Sequence, residues 1–307
     1  MLFAAISALL AVQTPPPASD DIVVTGQRLT ADSARRYVTE ITRPVDGQLP
    51  RFRQPVCPAV IGLPDEHAAA LVARVRKVAS HVRIPVAPEG CGANLRVIVV
   101  DDAPQFMSEL KRQKPEFFAG MLNADVDRLM ADQGPVRAWT VTQVQNEDGH
   151  VFAATKSGQS VFDRASKDRV SSGDEPAGSA SNMPRPDGGS GTMRIRSASI
   201  IKETTLQAML DSYVVIESGA VTGKSTTQLA DYVTMRAIGG AIPPGKDMVV
   251  DTILTLFEDA RETPISLRAS DLAYLKSLYS GSGTMRGAQQ LNRITKAVLK
   301  TSPSQGE

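Results

Sequence analysis

The chain has 307 residues, 42% of them hydrophobic, with 34 Lys and Arg against 33 Asp and Glu. That length and apolar content suit one large domain with appendages. A net charge of +1 and an aromatic content of 5% exclude the basic footprint and stacking platforms by which proteins bind nucleic acid.

At the N-terminus, Leu2 to Val12 is an apolar run too short to span a bilayer, followed by Gln13-Thr14-Pro15-Pro16-Pro17. It reads as an export signal over residues 1–19, although no basic residue precedes it. No cysteine stands near the expected cleavage site, so a lipoprotein anchor is not expected. No later stretch is long and apolar enough for a transmembrane helix. The mature chain is therefore expected in the periplasm or secreted, without a membrane span. Residues 20–55 read as an extended, weakly ordered segment. Within it, Asp21-Ile22-Val23-Val24-Thr25-Gly26-Gln27-Arg28 resembles the opening near the mature N-terminus of TonB-dependent outer-membrane receptors, which implies a short strand and contact with an envelope protein.

A single α+β domain is expected over residues 56–302. Cys57 and Cys91 lie in loop-like segments on either side of one helix. In an oxidising compartment an even pair suggests one disulfide; the alternative is two buried free thiols. Two cysteines without histidines nearby make a poor zinc site. Asp65 can cap a helix through Val82, with Leu71, Val72, Val75, Val78, Ala79 and Val82 inward and Arg74, Lys77 and His81 outward. Leu95 to Val100 is a buried strand ending in Asp101-Asp102, acids that solvate a strand end or cap the next helix more often than they act in catalysis. A helix through Phe106, Leu110 and Phe117-Phe118 follows, then one over Ala124 to Ala131, then a strand over Val136 to Val141. Residues 155–192 are rich in Ser, Gly, Asp and Pro and read as a disordered or hairpin-tip insertion. Strand pattern resumes over Thr192 to Ile201, which can pair with the Trp139 strand. Thr205 to Ser212 reads as a short helix leading into a Tyr213–Ile216 strand.

The segment from Val214 to Thr226 ends an apolar run in a glycine loop with Gly223-Lys224-Ser225. A phosphate-binding loop needs Gly, four residues, then Gly-Lys-Ser/Thr. Its first glycine would stand at position 218, which is Ser218; the glycine is Gly219. One residue too few changes which amides point inward, so a P-loop NTPase is disfavoured. Ser225-Thr226-Thr227-Gln228 instead fits a capping box. The helix it opens carries Leu229, Val233 and Ala237 on one face and stops at Gly239-Gly240.

The C-terminal third is helical in pattern. Val249 to Phe257 reads as one helix. Ser270 caps another that buries Leu272, Leu275, Leu278 and Tyr279 and ends at Gly281. The last buries Leu291, Ile294 and Val298, and residues 303–307 form a polar tail.

Three pieces, Arg236-Ala237-Ile238-Gly239, Leu267 through Asp271 to Leu278-Tyr279, and Gly283-Thr284-Met285-Arg286, resemble a family of uncharacterised exported bacterial proteins with zincin-like architecture. There a strand enters a Glu-Glu-x-x-Gln-Ala-Leu-Gly helix, followed by a variable loop, a Leu-x-x-x-Asp-x-x-x-Leu-x-x-Leu-Tyr helix and a last helix opening near Gly-Met. The resemblance implies a mixed sheet of about four to six strands packed with helices. Zincins hold zinc with a His-Glu-x-x-His helix. The matching positions here are Tyr232-Val233-Thr234-Met235-Arg236, none a zinc ligand or general base, and no histidine follows His150. No catalytic, cofactor or metal-binding residue is assigned. The expected function is a non-catalytic binding or accessory module on a degenerate peptidase-like scaffold, with an envelope protein or small ligand as partner. The alternative is a hydrolase using Glu217 and Asp231, the acids bracketing the glycine loop. The plainer reading of both is loop solvation and helix-surface charge.

Overall fold

The computed structural model describes residues 27–151, 203–258 and 264–301. The expected export segment, the receptor-like opening up to Gly26, the expected 155–192 insertion, the strand expected over Thr192–Ile201 and the 303–307 tail lie outside them.

The described chain opens with a helix where an extended segment is expected. In α1 (Ala31–Ile41), Thr30 Oγ1 accepts from the Ser33 amide at 3.1 Å and the Thr30 amide donates to Ser33 Oγ at 2.9 Å. Ala34, Tyr37, Val38 and Ile41 follow at helical spacing, and all are buried. Residues 27–55 are thus part of the fold, and the core begins upstream of Cys57.

The sheet is built on a long central strand. The elements are β1 (Arg51–Phe52), β2 (Pro58–Ile61), α2 (Asp65–His81), β3 (Leu95–Val100), α3 (Ala103–Gln113), α4 (Asn123–Ala131), β4 (Val136–Gln145) and β5 (Leu206–Glu217). β5 pairs with β4 along one side, antiparallel, from Val136↔Ile216 to Gln145↔Leu206. Its other side pairs parallel, first with β1 (Arg51↔Ala208) and then with β3 (Leu95↔Ser212 to Val100↔Glu217). β2 extends the sheet beyond β3, also parallel. The architecture is α+β, with five strands in one mixed sheet. The helix expected over Thr205–Ser212 is instead the first half of β5. Leucine and methionine there suit a helix, but pairing on both sides and burial of Leu206, Ala208 and Met209 outweigh that preference.

Strand alternation divides the core. Val214 and Ile216 face a large apolar cluster with α1 and α2; Tyr213 and Val215 face a smaller one with α3 and α4. In the smaller cluster Trp139 stacks between Phe118 and Tyr213, at 5.4 and 4.9 Å, and donates from Nε1 to the Phe117 carbonyl. Asp102 caps α3 through the Gln105 amide. That helix stops before Pro115, and residues Pro115–Phe118 form a separate 3-10 turn.

Cys57 and Cys91 are joined, their Cα atoms 6.1 Å apart, tying the start of β2 to the loop before β3. Asp65 is the first residue of α2 rather than its cap; Pro64 precedes it and supplies no side-chain bond.

After β5 come α5 (Ser218–Val221), α6 (Thr226–Val233), α7 (Ala269–Tyr279) and α8 (Gly287–Leu299). The helix expected over Val249–Phe257 reduces to a 3-10 turn, Ile253–Thr255. Thr252 is extended there, and its hydroxyl and the Ile253 amide are both spent on Asp271, at 2.6 and 3.0 Å. Ser270 does not cap α7. Arg268 occupies that position, and Asp271 Oδ2 accepts its amide at 2.9 Å.

Candidate functional site

The glycine loop ends in the capping box expected from its letters. Ser225 Oγ accepts from the Gln228 amide at 3.2 Å, and the Ser225 amide donates to Gln228 Oε1 at 2.8 Å. From Leu229 to Gly239 every residue is then buried. This helix runs into the larger core cluster, with α2 on one flank and β5 on another.

Its second half widens into a π turn over Thr234–Ile238, closed by the Gly239 amide on the Thr234 carbonyl at 3.1 Å. Two local features permit this. Thr234 Oγ1 donates to the Ala230 carbonyl at 2.7 Å, sharing that oxygen with the Thr234 amide. Gly239 leaves room for the Met235 carbonyl, which would lie 2.6 Å from a Cβ there. The carbonyls that end the turn are satisfied from α7: Tyr279 Oη donates to Ile238 at 3.0 Å and Tyr274 Oη to Gly239 at 3.4 Å. Single π turns inside helices recur at functional sites.

The two acids named from sequence are not brought together. Asp231 is fully buried on α6. Arg74 of α2 grips it with Nε on Oδ1 at 2.8 Å and Nη2 on Oδ2 at 3.0 Å, and the Leu267 amide adds a third bond at 3.0 Å. It is a structural strut, not a helix-surface charge, and Arg74 faces inward to meet it. Glu217 ends β5 on the opposite face by strand alternation, the side of Tyr213 and Val215. It lies 3.4 Å from Nη1 of the buried Arg137, whose other bonds go to the Gly134 and Asp132 carbonyls. Glu217 therefore neutralises a desolvated guanidinium. Paired acid–base work needs two carboxylates flanking one reacting bond, and the sheet separates these two.

Sequence reasoning missed a third acid, Asp271, also fully buried. It accepts from Tyr37 Oη (2.7 Å), Thr252 Oγ1 (2.6 Å) and the amides of Ile253 and Arg268. Burial pushes its carboxyl above the usual range and these donors pull it back. Its position as third residue of α7 was the available signal. It ties α1, the 252–255 turn and α7 together.

What remains chemically distinctive on the helix is Tyr232 and Arg236. The Tyr232 ring packs edge-on to Phe257 at 4.8 Å, and the Arg236 guanidinium lies 5.9 Å from its centre. Burial raises the Tyr232 phenol pKa; Arg236 opposes that, while Asp132 and Glu258 add to it. His67, His81 and His150 are all exposed, and His81 Nε2 sits 3.2 Å from Lys276 Nζ. Among the described residues, no three His, Cys, Asp or Glu side chains converge as metal ligands would.

No family model, curated protein or solved structure matches this chain.

Proposed function

We propose that the protein is a non-catalytic binding or accessory module on a degenerate peptidase-like scaffold, working in the periplasm or outside the cell. One observation carries this reading: the acid on the helix where a zincin holds its metal, Asp231, has both oxygens engaged by Arg74 in a fully buried site. A general base needs an oxygen open to a substrate proton or a water molecule, whereas this carboxylate has no exposed surface and both its oxygens are held by Arg74, one also by the Leu267 amide. The order β5, the short α5, α6, a loop, α7, α8 is compatible with that of the zincin-like family the sequence resembles, apart from the inserted α5, and supports the scaffold. The Cys57–Cys91 bridge supports an oxidising compartment. No helix among the described residues is long and apolar enough to cross a membrane.

The test is metal analysis of the purified protein together with a broad peptidase and esterase screen. The expected outcome is no stoichiometric zinc and no turnover above that of Asp231→Asn and Glu217→Gln. Tightly bound zinc, or hydrolysis abolished by either substitution, would sink the proposal.

A further inference from the structure

The two sulfurs of the Cys57–Cys91 bridge stand in unlike surroundings. Cys57, just before β2, is 4% exposed. Its amide donates to Asn94 Oδ1 at 2.7 Å, and its carbonyl accepts from the Asn94 and Leu95 amides at 3.1 and 3.2 Å. Cys57 is thus fixed beside the sheet and kept from solvent. Cys91 lies between Gly90 and Gly92 and is partly exposed.

Cys91 also has a cation beside it. Arg76 of α2 donates from Nη1 to the Ala87 carbonyl at 2.6 Å and from Nη2 to the Pro88 carbonyl at 3.4 Å, which clamps the guanidinium onto the loop. Its Nη2 then stands 3.6 Å from Cys91 Sγ. Arg74, two positions earlier, is neutralised by Asp231; among the described residues Arg76 has no carboxylate within ion-pair distance. The other charge of the 87–92 segment is Glu89, which is exposed and screened by water, and β2 carries no charge. A neutral disulfide gains little from such a cation, whereas a thiolate gains much. An arginine beside a thiol favours its ionised form, and the thiolate is the form that exchanges.

We propose that Cys91, activated by Arg76, is the exchange sulfur of a redox-active bridge whose partner is a dithiol oxidoreductase. The dithiol first gives its two protons to water. One of its thiolates attacks Cys91 Sγ, the reachable sulfur. The Cys57–Cys91 bond breaks, a mixed disulfide forms on Cys91, and Cys57 leaves as a thiolate that takes a proton from water. The second thiolate of the partner attacks the partner's own sulfur in that mixed disulfide. Cys91 leaves as a thiolate beside Arg76, and the partner departs oxidised to a disulfide. Two electrons pass to the bridge, and the reverse sequence forms it. Arg76 acts where Cys91 is the leaving or the attacking thiolate. The proposal rests on the bridge and goes beyond the binding-module reading.

The test uses the full chain with glutathione as the probe. Bridged protein is treated with limiting glutathione and quenched with N-ethylmaleimide, and the modified sulfurs are read by mass spectrometry. Glutathione should be found on Cys91 and the maleimide on Cys57. Glutathione on Cys57, or on both equally, would overturn the proposal. The pH dependence of alkylation in Cys57→Ser then gives the ionisation of the Cys91 thiol. It should fall below the ordinary value of about 8.5, return there when Arg76→Met is added, and stay lowered with Arg76→Lys. A Cys91 thiol at or above that value, unmoved by Arg76→Met, would overturn the role of Arg76. Should Cys57→Ser not fold, Arg76→Met with its bridge intact serves instead. At about pH 9 it should need roughly threefold more dithiothreitol for half reduction, and an unchanged midpoint would count against the proposal. Metal analysis and the hydrolase screen judge the non-catalytic reading separately.

Discussion

Arg74 and Asp231 stand 157 positions apart and meet through two parallel hydrogen bonds of 2.8 and 3.0 Å. The pair ties α2 to α6 inside the larger core. Removing one partner of a buried pair leaves the other charged and desolvated, which typically costs about 3–5 kcal/mol. Asp231→Ala and Arg74→Ala should each destabilise the protein by that order in urea denaturation. The double variant should cost less than the sum of the two, since it leaves no orphaned charge. A loss within error for either single variant would show that the pair is not closed in solution.

All five tyrosines of the chain have phenols pushed above their usual value, with burial the largest cause in each. Tyr274 is raised from 10.0 to about 12. A raised folded value means that the native state resists ionisation while the unfolded chain ionises near 10. The stability this group confers is therefore complete below pH 10 and is lost as pH rises from there through about 12. An alkaline titration followed by tyrosinate absorbance should show little ionisation at pH 10, then a cooperative rise coinciding with loss of far-UV circular dichroism. A reversible step near pH 10 with the fold intact would contradict this burial.

The Cys57–Cys91 bridge closes a segment with a sequence separation of 34. In the chain-entropy model such a loop contributes about 3–4 kcal/mol. Cys57→Ser with Cys91→Ser should lower stability by that order, and thiol titration of denatured, unreduced protein should find no free thiol. Two thiols per chain would show that the bridge does not form.

Lys224 and Ser225 separate a phosphate cradle from a helix cap. Ser225→Ala removes the bond to the Gln228 amide and should cost about 1 kcal/mol. Lys224→Ala, which breaks no side-chain bond among those described, should change stability by less than about 0.5 kcal/mol. ATP should not raise the melting temperature of the wild-type chain. Stabilisation by ATP that vanishes in Lys224→Ala would reverse the rejection of a nucleotide site.

Much of the fold is legible in local pattern. Leu95–Val100 announces a buried strand by composition, and Ser225–Gln228 announces a helix start by spacing, because both are settled by neighbours in the chain. Pattern also carried the signal for α1, in Ala34, Tyr37, Val38 and Ile41, although the prolines and charges around it suggested an extended segment. The candidate site was less legible. Tyr232 and Arg236 are visible in the sequence as residues at the positions where the resembled family would hold a metal, but nothing local reveals that both are buried, with the guanidinium 5.9 Å from the ring centre.

By itself, then, the sequence determined the α+β class and the cap at Ser225, and it offered a Cys57–Cys91 bridge beside the alternative of two free thiols, which the structure decided. Only the tertiary structure decided that Leu206–Ser212 is strand, that Asp231 is a strut and that Glu217 lies across the sheet from it. The reason is physical: a charge's partner, and with it the charge's role, depends on which distant groups the fold brings within about 3 Å, and that distance is not written in neighbouring residues.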